Sequence, residues 1–209
     1  MNKGVVSVLV AYLIWGLYPF YFHAMQHVAP AEIVIHRVLW TFALLAVYLF
    51  CSRRWRWIQK AVTDRRTVAV FLMSSVLITA NWSTYTYAIV TNQTLEASLG
   101  YFMNPLVSVL LGTVFLKEKL NKAQMLAIVF ACAGVMWVTF KQGEFPALGL
   151  TLALSFGFYG LVRKMAPLGS LEGLTLETAF AFPVALLATF YFAGNGDLTF
   201  VHGTSWDKF

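Results

Sequence analysis

EASLGYFMNPLVSVLLGTVFLKEKLNK, residues 96–122, opens on an acid, runs apolar for some twenty positions and stops on a basic cluster. A helix crosses the hydrocarbon of a bilayer with roughly 20 residues at about 1.5 Å per residue. A soluble helix needs one apolar stripe. This run is apolar on every face, holds Gly100, Asn104, Pro105 and Gly112, and ends in Lys117, Glu118, Lys119 and Lys122. It reads as a membrane span, and other stretches of the chain repeat the pattern.

Composition agrees. Of 209 residues 59% are hydrophobic and 11% charged, and mean hydropathy is +0.70. Ordinary soluble domains carry about 25% charged residues. The fold class is therefore an all-α integral membrane protein, a polytopic helical bundle of about seven spans. The net charge of +6 sits between apolar spans, not on one amphipathic element, so nucleic acid is not an expected partner. Cys51, Cys132, His23, His27, His36 and His202 lack metal-ligand spacing, so neither metal nor other cofactor is expected. No GxxxxGK[ST] loop, GxSxG or HExxH occurs. Neither ATP-driven transport nor an enzyme is indicated, and an intramembrane enzyme is the weakest reading. The first apolar run lacks a small-x-small cleavage site and reads as an uncleaved helix.

In order, the expected spans are 5–22, 33–50, 68–90, the opening stretch, 124–140, 145–162 and 171–192. The first carries Trp15, Tyr18 and Pro19. Its aromatics either anchor at the interface or line a polar cavity, and Pro19 can kink the helix. Glu32, His36 and Arg37 open the second span. Arg37 either snorkels to the surface or faces a cavity or an ionic partner. A basic loop follows with Arg53, Arg54, Arg56, Lys60, Arg65 and Arg66. Asn81, Trp82 and Tyr85 interrupt the outer half of the third span, and Tyr101 and Asn104 the fourth. Trp15, Tyr18, Asn81, Trp82, Tyr85, Tyr101 and Asn104 are the candidate substrate cavity; the competing reading of each is packing or a satisfied buried polar group. Gly134 suggests close packing in the fifth span. Glu177 lies a little inside the seventh. It and Arg37 are expected at opposite membrane mouths, not as a direct pair, while Glu118 is expected to make a helix-end contact.

With a cytoplasmic N-terminus, Lys3, the 53–66 loop, the 117–122 turn and Arg163–Lys164 all fall inside, which is the positive-inside pattern. The other side holds Lys141 and Lys208, with Arg37 at its edge. The chain then restarts. Trp15-Gly16-Leu17-Tyr18 recurs as Phe156-Gly157-Phe158-Tyr159, and Ala29-Pro30 as Ala166-Pro167. An odd number of spans before the restart inverts the second copy, the architecture of alternating-access carriers. The expected division is 1–142, a first five-helix repeat, and 143–209, a partial second repeat of two helices and an external tail.

These stretches resemble the drug/metabolite transporter superfamily, specifically EamA-type carriers of the RarD kind, known as chloramphenicol-sensitivity proteins. The resemblance rests on YLIWGLYPFYF at 12–22, EIVIHRVLW at 32–40, NWSTYTYAIV at 81–90, LEASLGYFMNPLVSVLLGTVFLKEKL at 95–120 and FGFYGLVRK at 156–164, and covers nearly the whole chain. It implies a ten-helix carrier of two inverted five-helix halves, here without its last three helices, moving small metabolites or drugs across the bacterial inner membrane. Pro105, Gly112 and Glu118 match the superfamily pattern of the fourth helix, and His36–Arg37 the pair of the second. With Pro19 the first three are expected to be structural; His36, Arg37 and Glu177 are expected to gate or carry charge. A small-molecule solute, lipid, a proton or ion gradient and a second copy in a homodimer are the implied partners. A truncated, non-transporting remnant is the alternative.

Overall fold

The computed structural model describes residues 3–53, 55–143, 145–196 and 198–199. Arg54, His202, Lys208 and most of the expected external tail lie outside these. Among the described residues eight helices follow one another: α1 (Lys3–Ala24), α2 (Pro30–Ser52), α3 (Arg56–Thr63), α4 (Arg65–Val90), α5 (Thr94–Phe115), α6 (Lys122–Gln142), α7 (Ala147–Lys164) and α8 (Ser170–Asn195). Six of them, all except α3 and α7, are long and apolar enough to cross a membrane by length and composition. The architecture is an all-α polytopic bundle. α7 is 18 residues long and ends on Arg163 and Lys164.

The basic loop holds more structure than expected. Residues 56–63 form α3, whose Trp57 and Ala61, one turn apart, pack with Phe71 and Leu176. The helix is amphipathic, with Trp57 and Ala61 against the bundle end and Arg56, Gln59 and Lys60 exposed, as suits a membrane interface.

Local chemistry sets the helix ends. Pro30 occupies the first turn of α2, where its missing N–H is harmless. Asp64 caps α4, accepting from the backbone N–H groups of Arg66 and Thr67. The Thr67 hydrogen bonds hold its carboxyl below the usual range. Asn121 and Gln124 form a reciprocal capping box at the start of α6. α7 takes its cap from another helix: Oε2 of Glu96, in the first turn of α5, accepts from the backbone N–H of Leu148 at 3.1 Å.

α7 lies at the centre, against α5 and α4, while α8 packs against α2 and α4. α5 and α7 run parallel, since Gly100 meets Gly149, Val107 meets Gly157 and Glu118 meets Lys164. Parallel helices two apart in a chain require the one between to carry it back, and α6 does so, packed against α5. None of the α6 spanning window is buried, as for a helix with lipid around most of its surface. α4 runs antiparallel to α7, with Asn81 beside Leu152 and Ser155.

The close helix contact lies at Gly100 and Gly149. A Cβ on Gly149 would come 2.9 Å from the Glu96 carbonyl oxygen and 3.2 Å from the Gly100 nitrogen, both backbone atoms that cannot turn aside. Small residues let membrane helices approach to backbone contact, where packing does the work that hydrophobic exclusion does in water. Gly134, expected to be such a point, has nothing within 4 Å of an added Cβ. An isolated glycine in an apolar run marks a close approach only if a helix lies against that face.

Gly149→Leu is expected to lower the unfolding midpoint and folded yield, with an overpacking cost of about 1–3 kcal/mol. Gly134→Leu should leave both unchanged. Size-exclusion chromatography after graded heating of the detergent-solubilised protein measures the difference.

Candidate functional site

Polar side chains gather in layers along α4, α7 and α8. In the first, Glu177 of α8 is buried to 1% exposure. Ser74 donates to its Oε1 at 2.7 Å and the Tyr159 hydroxyl to its Oε2 at 3.3 Å. Arg163 Nε lies 3.6 Å from Oε1, and Ser75 donates to the Glu177 carbonyl at 2.6 Å. Tyr159 and Arg163 are one turn apart on α7 and so share a face. The Arg163 guanidinium also lies 5.1 Å from the Phe71 ring centroid and donates through Nη2 to the Gly169 carbonyl. A Cβ at Gly173 would fall on its Nη1, so a glycine there leaves room for the arginine. A carboxylate carried into the membrane interior is tolerable only when its charge and lone pairs are met. Here both oxygens are.

One to two turns further along α4, Asn81 is buried and its amide donates to the Leu152 carbonyl and to Ser155 Oγ, both at 3.1 Å. This is a clamp between α4 and α7. Of the two expectations for Asn81, a cavity ligand or a satisfied buried polar group, the geometry is that of the second.

The next layer is aromatic. The guanidinium carbon of Arg37 on α2 sits 4.1 Å from the ring centroid of Trp82 on α4. Tyr18, Tyr85 and Tyr101 lie within its electrostatic reach. Edge contacts chain the rings: Tyr18 to Phe22 at 6.0 Å, Phe22 to Tyr85 at 5.8 Å and Tyr85 to Tyr101 at 5.8 Å. Four helices thus bring five of the expected residues together, four aromatic rings and the one cation among them. Asn104 stands one turn beyond Tyr101, and its Oδ1 is buried with no hydrogen-bond partner. Pro105 lies inside α5 and cannot donate to the Tyr101 carbonyl; Pro19 inside α1 does the same to Trp15. Trp15 is 56% exposed and contacts Tyr12 instead of the cluster. His36 is half-buried beside Glu32, whose Oε2 accepts from the Thr199 backbone N–H.

At the far end of α5, Lys117 takes a left-handed conformation with φ 55°. That turn lets the Glu118 N–H reach the Gly112 carbonyl at 3.2 Å. The carboxylate folds over the same glycine, 2.8 Å from where a Cβ would stand, and accepts from Lys164 Nζ at 2.5 Å. Gly112 and Glu118 therefore act together as a helix stop that reaches α7. Both partners of the ion pair are exposed, so it contributes about 0–1 kcal/mol.

Arg37 and Glu177 do not pair, because each has its own neighbours. Ser74 and Trp82, which touch them, are eight residues apart on α4, about 12 Å. Sequence reading missed the partners of Glu177, namely Ser74, Ser75, Tyr159 and Arg163. The Tyr159–Arg163 spacing was visible, but Arg163 read as part of a basic turn.

The chain matches the EamA-like transporter family over residues 2–140. It is 42% identical over 188 residues to the uncharacterized transporter YojE of Bacillus subtilis, covering 88% of this chain and 63% of that protein. It is 40% identical over 194 residues to protein RarD of Salmonella typhi, covering 93% and 66%. It is 29% identical to the chloramphenicol-sensitive protein RarD of Pseudomonas aeruginosa, covering 91% and 65%. The chain thus spans about two thirds of the length of these relatives. No solved structure matches it.

Arg163→Ala strands a buried carboxylate and is expected to cost about 3–5 kcal/mol of stability. Glu177→Gln, which keeps contacts to Ser74 and Tyr159, should cost less, and Gly173→Val should resemble Arg163→Ala by expelling the guanidinium. Thermal unfolding of the purified variants ranks them.

Proposed function

The chain belongs to the EamA-like transporter family and is a multi-pass membrane protein of bacterial type, and from that premise we propose that it moves small organic molecules across the inner membrane as a secondary carrier. The observation that carries this reading is the cluster of Arg37, Trp82, Tyr18, Tyr85 and Tyr101, an aromatic-walled cation within a bundle of spanning helices. Sites of this kind suit amphipathic solutes, because rings take the apolar body and a few polar groups orient it. Trp15 and Asn104 flank the path. The Glu177 network is the opposite gate, and its buried carboxylate is the group to exchange a proton or ion in coupling. His36 supports the outer side through Glu32. The relatives are named as transporters, and the P. aeruginosa relative's name mentions chloramphenicol.

Alternating access follows from the proposed division into a first repeat, 1–142, and a partial inverted second repeat, 143–209. The family match ending at residue 140 favours that boundary. The N-terminus is cytoplasmic in this reading, supported by the basic residues of α3, the 117–122 turn and the Arg163–Lys164 end of α7. The open surface of α6 is available to a second copy in a homodimer.

In a cysteine-free background, Lys60→Cys and Lys119→Cys should resist an impermeant maleimide in intact cells, while Thr94→Cys should react; the reverse pattern overturns the orientation. In proteoliposomes, flux of radiolabelled solutes, chloramphenicol first among them, should fall about fivefold or more in Arg37→Gln at unchanged protein content. Equal flux in the variant would remove the aromatic cluster from the transport path.

A further inference from the structure

Arg37 differs from the other interior charge in having no carboxylate against it among the described residues. Among the described residues, its nearest given contact is the Trp82 ring, with the Tyr18, Tyr85 and Tyr101 hydroxyls in its vicinity, and neither ion pair found there involves Arg37. The described acids near the bundle interior and its ends are engaged elsewhere. Glu32 takes the Thr199 N–H. Glu96 caps α7 at Leu148. Asp64 caps α4, Glu118 holds Lys164, and Glu177 holds Ser74, Tyr159 and Arg163. The two cations that reach into the bundle are therefore treated oppositely. Arg163 lies beside a built-in carboxylate, and Arg37 lies on an indole face.

The Trp82 seat orients the guanidinium without neutralising it. An indole face attracts a cation through its quadrupole, and the planar fork keeps donors free at its edge. A half-buried guanidinium within a membrane bundle strongly favours an incoming anion, because surroundings of low polarity strengthen the attraction. The planar fork matches a carboxylate through two parallel hydrogen bonds. Around it stand aromatic rings from α1, α4 and α5, which take the flat apolar body of a solute. Asn104, with its unpartnered Oδ1, is on the same helix as Tyr101 and one turn away, so a polar substituent on the solute has a partner within that helix's reach.

We propose that Arg37, seated on Trp82 and ringed by Tyr18, Tyr85 and Tyr101, is the receptor for the carboxylate of a small aromatic organic acid. This rests on the carrier reading and narrows its substrate class. The substrate supplies the counter-ion that the described residues do not give Arg37. Binding is then strongest for a monoanion with a flat apolar ring, and weak for the same ring without its charge.

The test compares indole-3-acetate with indole-3-acetamide, which share shape and ring and differ in charge. Equilibrium binding of each, tritium-labelled, is measured on the purified protein. The acid is expected to bind about tenfold more tightly than the amide, the order of a charge-assisted pair. Arg37→Gln should erase that preference, and Arg37→Lys should keep part of it. If Arg37→Gln fails to fold, the wild-type acid-to-amide ratio and Arg37→Lys still decide. Equal binding of acid and amide to wild type overturns the proposal, as does binding of neither at millimolar concentration, or a preference that survives in Arg37→Gln. Flux separates this result from the carrier reading. Vesicles that pass neutral solutes but show no preference for the acid keep the carrier and sink the receptor. Vesicles that pass no solute while acid binding holds sink the carrier reading alone.

Discussion

The backbone contact of α5 with α7 at Gly100 and Gly149 is the constraint on which the rest of the bundle depends. α7 is the shortest of the long helices and carries Tyr159 and Arg163 along one face. It is less suited to lipid than its neighbours, and it is stable where other helices surround it. The glycine pair lets α5 come to backbone distance, the Glu96 carboxylate caps the α7 N-terminus, and Glu118 meets Lys164 at the other end. α7 is thus held along its length by one parallel neighbour. Its other face is left to receive Asn81 from α4 and Glu177 from α8.

That placement decides how charge is handled inside the membrane. Hydrocarbon offers no hydrogen bonds, so a buried ionised group must find its partners in protein or in a ligand. Glu177 finds Ser74, Tyr159 and Arg163 because α4, α7 and α8 meet at one level. Some 12 Å further along α4, Trp82 gives Arg37 an aromatic face instead. One helix therefore serves both polar layers, and its Asn81 amide ties it to α7 between them. A shift of α4 relative to α7 would break the Asn81 clamp and the contacts of Ser74 and Tyr159 with Glu177 together.

Much was legible without coordinates. The spans were visible because each needs an unbroken apolar length, which composition along the chain displays directly. The aromatic candidates Tyr18, Trp82, Tyr85 and Tyr101 converge. So does Arg37, because interior polar side chains in a membrane helix turn toward protein. Asn81 looked the same as these in sequence, yet its amide is spent on α7. Gly134 looked like Gly100 and Gly149 but faces open space. The 53–66 loop concealed α3, since an eight-residue amphipathic stretch is a faint signal among arginines.

The amino-acid sequence by itself determined the class of protein, its helical spans, its likeness to EamA-type carriers and the polar residues worth inspecting, because these follow from local composition and spacing. Only the tertiary structure decided which of those residues face each other. Helix packing sets rotation and depth, and neither is written in the order of residues along one helix. It is packing that places Arg163 beside Glu177, lays Arg37 on Trp82 with no carboxylate among its described neighbours, and turns Gly112 and Glu118 into a single helix stop.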